Sequence, residues 1–458
     1  MPGYANWQGL YKLEYGQLYE EGYPVGDTPL PDLAAAYLPD DLRGRAEESL
    51  TEADWQRAYH ALWQVRAQGL RPDYPFVEPD DLESIIADAA PVPVLTPLSP
   101  SEYQERVKGA WFGRCAAVIL GKPFEMHIDR QYIKRYLESV DAYPLNDWVP
   151  GRSEKLGMTL RNPASTRGHV QYAEPDDDIH YTILGLILVE KYGLKFSQYD
   201  VGKNIVDNIP YNWLWSCTKQ AYYHWVNMTD DRPAAEQVAE FPLKLNPWRE
   251  GINAAIRADF WGYISPGDPR RAGRIAFQEV TFNTTKNGTY SSMFVAGCLA
   301  AALSQHPTVE TILQGGLSVI PKRSRMAAIT HEVMDWYAED GDWISVCDRI
   351  YEKYGHLPFL ATLHNMAFVV LALIHGQLDY EKSITTAVMC GMDTDCTSGT
   401  AGSIVAAALG YEALPQKWIA PLNDYTKTVV ADFREGSISG LVDRTVAVWQ
   451  NTRDQQPG

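Results

Sequence analysis

Residues 391–402 read Gly-Met-Asp-Thr-Asp-Cys-Thr-Ser-Gly-Thr-Ala-Gly and run into a small, apolar segment at 403–409 that reads as a helix. Asp, Thr and Ser at a helix start bond free backbone N–H groups, and the helix dipole favours their charge there. By itself, Asp393-x-Asp395 is a good N-cap. A second acidic run makes that reading insufficient. Asp176-Asp177-Asp178 follows Pro175 and leads into another apolar helical run, 179–188. Three adjacent carboxylates exceed what one cap needs, and like charges so close raise each other's pKa unless a cation offsets them. A fold that brings the two helix starts together would gather Asp176, Asp177, Asp178, Asp393 and Asp395. Oxygen-preferring divalent cations such as Mg²⁺ or Mn²⁺ are the usual solution to such a cluster.

Three blocks in order make the chain resemble the ADP-ribosylglycohydrolase family, as a divergent branch of the dinitrogenase reductase-activating glycohydrolase and J1 crystallin type. The first is Gly109-x3-Gly113 with Gly121-Lys122-Pro123-Phe124-Glu125, similar to a glycine-spaced first helix ending in Gly-x-Pro-x-Glu. The second is Asp176-Asp177-Asp178, where the family usually has Thr-Asp-Asp-Thr, and the third is Asp393-Thr394-Asp395-Cys396, where it usually has Asp-x-Asp-Thr. Ile256-Arg257-Ala258-Asp259 and Asn287-Gly288-x-Tyr290 look like connecting segments of the same family. The resemblance runs from about residue 109 to about residue 409 and implies an all-α, compact multi-helix globule.

The formal charge of -18 argues against a nucleic-acid partner, because affinity for a phosphate backbone rests on clustered Lys and Arg. It leaves room for a small ribosyl or ADP-ribosyl ligand met by a local basic patch. No run of eighteen apolar residues appears, and residues 1–10 lack a basic region followed by an apolar stretch, so no membrane span or secretory signal is expected. The six cysteines are scattered, without CxxC or Cys/His zinc spacing; reduced thiols in a cytoplasmic protein are the economical expectation. No heptad gives a handle on oligomeric state.

Residues 1–100 read as an extension packed on a helical domain at 101–458. Thr51 opens a helix to about residue 67, and the proline-rich stretch 90–100 reads as an extended linker. The next helix, about 102–120, carries small residues Gly109 and Gly113 that let another helix approach closely. Gly121 and Pro123 stop it and put Glu125 on the following loop. Residues 147–174 form a long irregular stretch with Arg152, Lys155, Arg161, Arg167 and His169. It is either a loop that meets phosphate oxygens or a solvated surface offsetting an acidic protein. Helical runs then alternate with short loops, and no period-2 strands stand out. The aromatic segment 211–215 with Tyr222, Tyr223 and Trp225 reads as core first and as a sugar- or base-stacking surface second. Residues 283–288 read as a helix-breaking turn, and His364 as a structural histidine beginning a helix.

The resemblance assigns roles. Asp177, Asp178, Asp393 and Asp395 would hold metal, with Asp176 beside them, and two Mg²⁺ or Mn²⁺ ions are implied. Glu125 would gate the site or act as acid/base, with Asp178 as a second catalytic carboxylate. Asn287, Gly288 and Tyr290, together with Arg167 and His169 of the basic loop, would contact substrate. The reaction implied is hydrolysis of an N- or O-glycosidic bond of an ADP-ribosyl or ribosyl conjugate. A related hydrolase of another nucleoside, sugar or small conjugate, or a catalytically silent crystallin-like protein, are the alternatives. The chain departs from the family pattern at Asp176, Ile179 and Cys396, where Thr is usual, and at Val118, where Asp is frequent. A thiol is a poor ligand for Mg²⁺.

Overall fold

The apolar runs fold as helices whose ends are set by local signals, and the order of those ends decides what meets what. A computed structural model describes residues 3–31, 37–125 and 128–455. In the extension, α1 (Trp7–Glu20), α2 (Glu52–Trp63) and α3 (Leu82–Asp88) are capped by Asn6, Thr51 and Asp81. Helices α1 and α2 enclose a small apolar cluster of their own, including Tyr11, Leu18, Trp55 and Leu62. Ile85 of α3 joins the main core.

Residues 90–99 are extended, as the prolines require, and α4 (Pro100–Gly121) starts one residue inside the expected linker. Proline is suited to that first helical position, where its missing N–H costs nothing. Ser99 and Glu102 complete a reciprocal cap there. After a 3₁₀ turn (Lys122–Phe124) come the two-residue strand β1 (Ile128–Asp129) and α5 (Arg130–Ser139). The long irregular stretch holds a minimal hairpin of β2 (Arg152–Ser153) and β3 (Met158–Thr159).

The remaining chain is helical, in the order α6 (Asp177–Tyr192), α7 (Gln198–Asn208), α8 (Ser216–Val226), α9 (Ala234–Val238), α10 (Asp259–Tyr263), α11 (Pro269–Val280), α12 (Lys286–Ala302), α13 (Val309–Leu317), α14 (Arg325–Asp340), α15 (Trp343–Tyr354), α16 (Thr362–Gly376) and α17 (Tyr380–Cys390). Strand β4 (Gly391–Met392) then leads into α18 (Thr394–Leu409), α19 (Gln416–Ile419), the pair β5 (Tyr425–Lys427) and β6 (Glu435–Ser437), and α20 (Ile438–Thr452). The fold is all-α; the three antiparallel strand pairs among the described residues are too short to leave an alternating pattern in the sequence.

Residues 286–288, expected in a turn, form the first turn of α12, whose every residue is buried. A helix apolar on all sides belongs at the centre of a multi-helix protein. Among the described residues, no helix is long and apolar enough to cross a membrane. All six cysteines are free and buried.

The contact that positions the acids is between α4 and α18. A Cβ on Gly109 would lie 2.6 Å from the carbonyl carbon of Gly410, and one on Gly113 2.3 Å from Cβ of Ala406. One on Gly402 would lie 2.5 Å from Cβ of Ala117, and one on Gly121 2.3 Å from the carbonyl oxygen of Thr394. The pairing runs backward along α18 as it runs forward along α4, so the helices are antiparallel and in backbone contact. The C-terminus of α4 therefore ends at the N-terminus of α18.

Candidate metal centre

Three chain segments converge where α4 ends and α6 and α18 begin. The Thr394 hydroxyl donates to the carbonyl of Gly121 at 2.8 Å, fastening α18 to the end of α4. Just beyond, β1 pairs with β4, Asp129 opposite Gly391, so the chain leaving Glu125 is tied to the chain entering Asp393. Gly391 and Met392 both have positive φ, 87° and 62°, bending the backbone into the turn that presents Asp393. The side-chain oxygen of Asn365, on α16, accepts from the Asp393 N–H at 3.3 Å and fixes that turn from behind.

The six carboxylates form overlapping groups. Glu125, Asp393 and Asp395 offer oxygens within 4.8 Å of one another; so do Asp176, Asp177 and Asp178, and so do Asp178 and Asp395 with the sulfur of Cys396. Asp176 caps α6, accepting from the Asp178 N–H at 3.0 Å. Asp393 stands at the cap position of α18 without bonding its backbone, which leaves its carboxylate for other work. Oδ1 of Asp395 is buried and has no hydrogen-bond partner. An anionic oxygen in that state is costly unless a cation meets it, so this donor set fits a hard divalent ion.

Crowding shows in the acidities. The charge of Asp395, followed by burial, pushes the Glu125 carboxyl up to about 10. Burial and then the charge of Asp176 raise Asp177 to about 8 and Asp395 to about 7. Burial likewise raises Asp178 and Asp393, each with Asp395 as a neighbouring charge. Burial also raises the Cys396 thiol, with Asp178 adding to the shift.

Two resident cations enter the cluster, and neither was anticipated from the sequence. Arg114, fully buried on α4, pairs with Asp178 at 3.0 Å and with Asp259 at 3.2 Å, and donates to the Asp178 carbonyl at 2.9 and 3.1 Å. Lys122 pairs with Asp176 at 2.9 Å and donates to the carbonyl of Pro175. The signal for Arg114 was present: a charge inside the apolar run 107–120 must be paired if that helix is buried. Its partners lie far along the chain, and no local pattern names them.

The structure brings Glu125, Asp176, Asp177, Asp178, Asp393 and Asp395 together. The other proposed substrate contacts make different bonds. Arg167 is exposed, pairs with Asp147 at 3.0 Å and donates to the carbonyl of Trp148. His169, also exposed, bonds Thr166 at 3.2 Å. Asn287 donates to Glu78 at 2.8 Å and Glu250 at 3.0 Å, and accepts from the Met326 N–H at 2.9 Å. Gly288 lies under the backbone of Arg249, and Tyr290 donates to the carbonyl of Pro79. Asn287 and Tyr290 hold the extension. The aromatic segment is divided: Leu214 is core and Tyr222 and Trp225 pack against it, whereas Trp213 is 39% and Trp215 45% exposed. The Trp213 ring contacts His180, one turn into α6, at 5.8 Å between centroids.

An all-helical chain that gathers six carboxylates from three helix ends has the makings of a divalent-metal centre. A model of the ADP-ribosylglycohydrolase family matches residues 99–455, and the chain belongs to that family. With its acidic clusters assembled, it is a metal-dependent hydrolase of this general type. A solved structure described as an ADP-ribosylglycohydrolase-related protein complex is similar at 16% identity, covering 76% of this chain and 99% of its own, with a TM-score of 0.46. No curated protein matches the chain.

Proposed function

We propose that the protein hydrolyses a glycosidic bond of a ribosyl or ADP-ribosyl small-molecule conjugate, with Mg²⁺ or Mn²⁺ at the acidic centre. The observation that carries this reading is the unpartnered, buried Oδ1 of Asp395, a residue grouped with Glu125 and Asp393. When bound, the ion supplies charge stabilisation and orientation of ribose hydroxyls. Asp393 and Asp395 would hold it, and Asn365 keeps Asp393 in place from behind.

Glu125 is the acid/base carboxylate. It is half-buried at the end of the 3₁₀ turn, so it can reach both a substrate and solvent. That position suits it to give a proton to the leaving atom. It can then take one from the attacking water. Trp213, exposed beside α6, offers a flat face for a sugar or base.

Two of the five basic-loop groups expected to meet phosphate, Arg167 and His169, are engaged with Asp147, Trp148 and Thr166 of their own stretch, while Arg161 and Lys155 are exposed. The test is release of ribose or ADP-ribose from ribosyl and ADP-ribosyl conjugates in Mn²⁺, followed by chromatography. The expected outcome is turnover that falls by about 10²- to 10⁴-fold in Glu125→Gln. Comparable KM for both substrate classes is expected if no phosphate clamp operates. No release from either class would overturn the proposal.

A further inference from the structure

We infer that this centre is built to take one divalent ion, held by Asp393 and Asp395 with Glu125 beside it, and that Lys122 and Arg114 stand as permanent cations where a second ion would be held. The inference rests on the metal-centre reading above and replaces the two ions implied by the resemblance.

The three candidate donor groups are not equivalent once their existing partners are counted. In Asp176–Asp177–Asp178, Oδ2 of Asp176 is paired with Lys122 at 2.9 Å and Oδ1 accepts the Asp178 N–H at 3.0 Å. Oδ1 of Asp178 is paired with Arg114 at 3.0 Å, and Oδ2 accepts the Cys396 thiol at 3.1 Å. Two of the three carboxylates therefore have both oxygens engaged, each with a full positive charge on one of them. A divalent ion there would have to sit beside an ammonium and a guanidinium.

The group Asp178–Asp395–Cys396 shares the committed Asp178. Its third member is a thiol that donates to that carboxylate, so it holds the proton a metal would have to displace. Sulfur is also the wrong donor for Mg²⁺ or Mn²⁺.

Glu125–Asp393–Asp395 differs in its donors and in its ion pairs, although Asp393 and Asp395 share a hydrogen bond and the Lys122 charge reaches Glu125 and Asp395. All three donors are carboxylates, and no Lys or Arg forms an ion pair with any of them among the described residues. Asp393 does not spend its side chain on the helix cap. Asp395 is 1% exposed, and its buried Oδ1 has no hydrogen-bond partner. The resident cations are themselves locked. Arg114 is fully buried and bonded to Asp178, Asp259 and the Asp178 carbonyl, and Lys122 is held by Asp176 and Pro175.

The experiment is a Mn²⁺ titration of the metal-stripped full chain, with bound ion counted by electron paramagnetic resonance and by elemental analysis after dialysis. One magnetically isolated Mn²⁺ per chain is expected. Asp395→Asn should weaken it by at least about 100-fold, as loss of a direct ligand exceeds the 10- to 100-fold cost of losing an outer partner. Asp177→Asn, in the committed group, should stay within about tenfold of the parent. Circular dichroism melts check that both variants fold, and the count on the unaltered chain depends on neither. Two ions per chain, a spin-coupled pair, or loss of binding in Asp177→Asn as complete as in Asp395→Asn would each overturn the one-ion inference while leaving the hydrolase reading intact. No binding at all would overturn both.

Discussion

A guanidinium or carboxylate taken out of water needs a full set of partners, and the residues around the centre are arranged by that need. Arg114 satisfies it with two carboxylates and a carbonyl, and Asp176, standing where the family usually has Thr, has its extra charge taken up by Lys122. His364 is handled the other way, by staying neutral. It is 1% exposed, its Nε2–H donates to the Phe359 carbonyl at 3.2 Å, and its Nδ1 is buried without a partner. Burial lowers its pKa from 6.5 to about 4. The unfolded chain therefore takes up a proton near pH 6.5 that the folded one refuses until about pH 4, so this residue removes stability as pH falls through that window. Compared with the parent, His364→Gln should lose less stability on acidification from pH 7 to pH 4, by on the order of 2–3 kcal/mol in urea denaturation. The raised carboxylates bind protons in the opposite sense, but they are common to both proteins and cancel in the difference. Parallel stability–pH curves would contradict the assignment. At this scale the acids were legible in the sequence because each cluster is contiguous. Arg114, Lys122 and Asn365 were not, because what makes them part of the centre is a partner on another helix.

Helix α4 and helix α18 deliver those residues, and the delivery depends on backbone contact. Gly109 and Gly113 were readable as a surface for close approach, and Gly399 and Gly402 were visible in the opening stretch. Their pairing was not, since no local rule says which small-residue face meets which. The strand pair β1–β4 was equally hidden, two residues being too few to show a period. Gly121 tests the arrangement. In a helix, Gly→Ala ordinarily gains about 0.5–1 kcal/mol. Here the added Cβ would stand 2.3 Å from the Thr394 carbonyl oxygen and 2.6 Å from Cα of Asp395, both backbone atoms that cannot turn aside. Gly121→Ala should therefore destabilise the protein by about 1–3 kcal/mol, as overpacking does, against its propensity. The same displacement parts Glu125 from Asp395, so Mn²⁺ affinity should fall as well. A neutral or stabilising substitution with unchanged affinity would show that the two helix ends are not in contact.

For the whole molecule, the family match begins at residue 99, yet the extension supplies charges that the main body needs. Arg249 is fully buried between Glu14 of α1, at 2.8 Å, and Glu21, at 2.6 Å. Arg325 pairs with Glu78 and Glu250, both at 2.8 Å. Asn287 bonds the same two glutamates, which is why the segment that resembles a substrate contact serves as a socket for the extension. Removing residues 1–88 would strip Arg249 of both carboxylates and Arg325 of one, besides uncovering apolar surface. A buried charge that loses its partners costs about 3–5 kcal/mol, so stranding Arg249 takes a large share of the 5–15 kcal/mol that holds a typical domain together. A chain of residues 89–458 should therefore fail to give a cooperative melt, or melt well below the full chain, although it keeps every carboxylate of the centre. Replacing Arg249 by Met in that shortened chain removes the stranded charge and leaves the lost apolar contact. Recovery of a cooperative transition in this variant would assign the loss to charge. Absence of recovery would assign it to uncovered apolar surface, and a shortened chain that melts within a few degrees of the full one would show that the extension is dispensable to the fold.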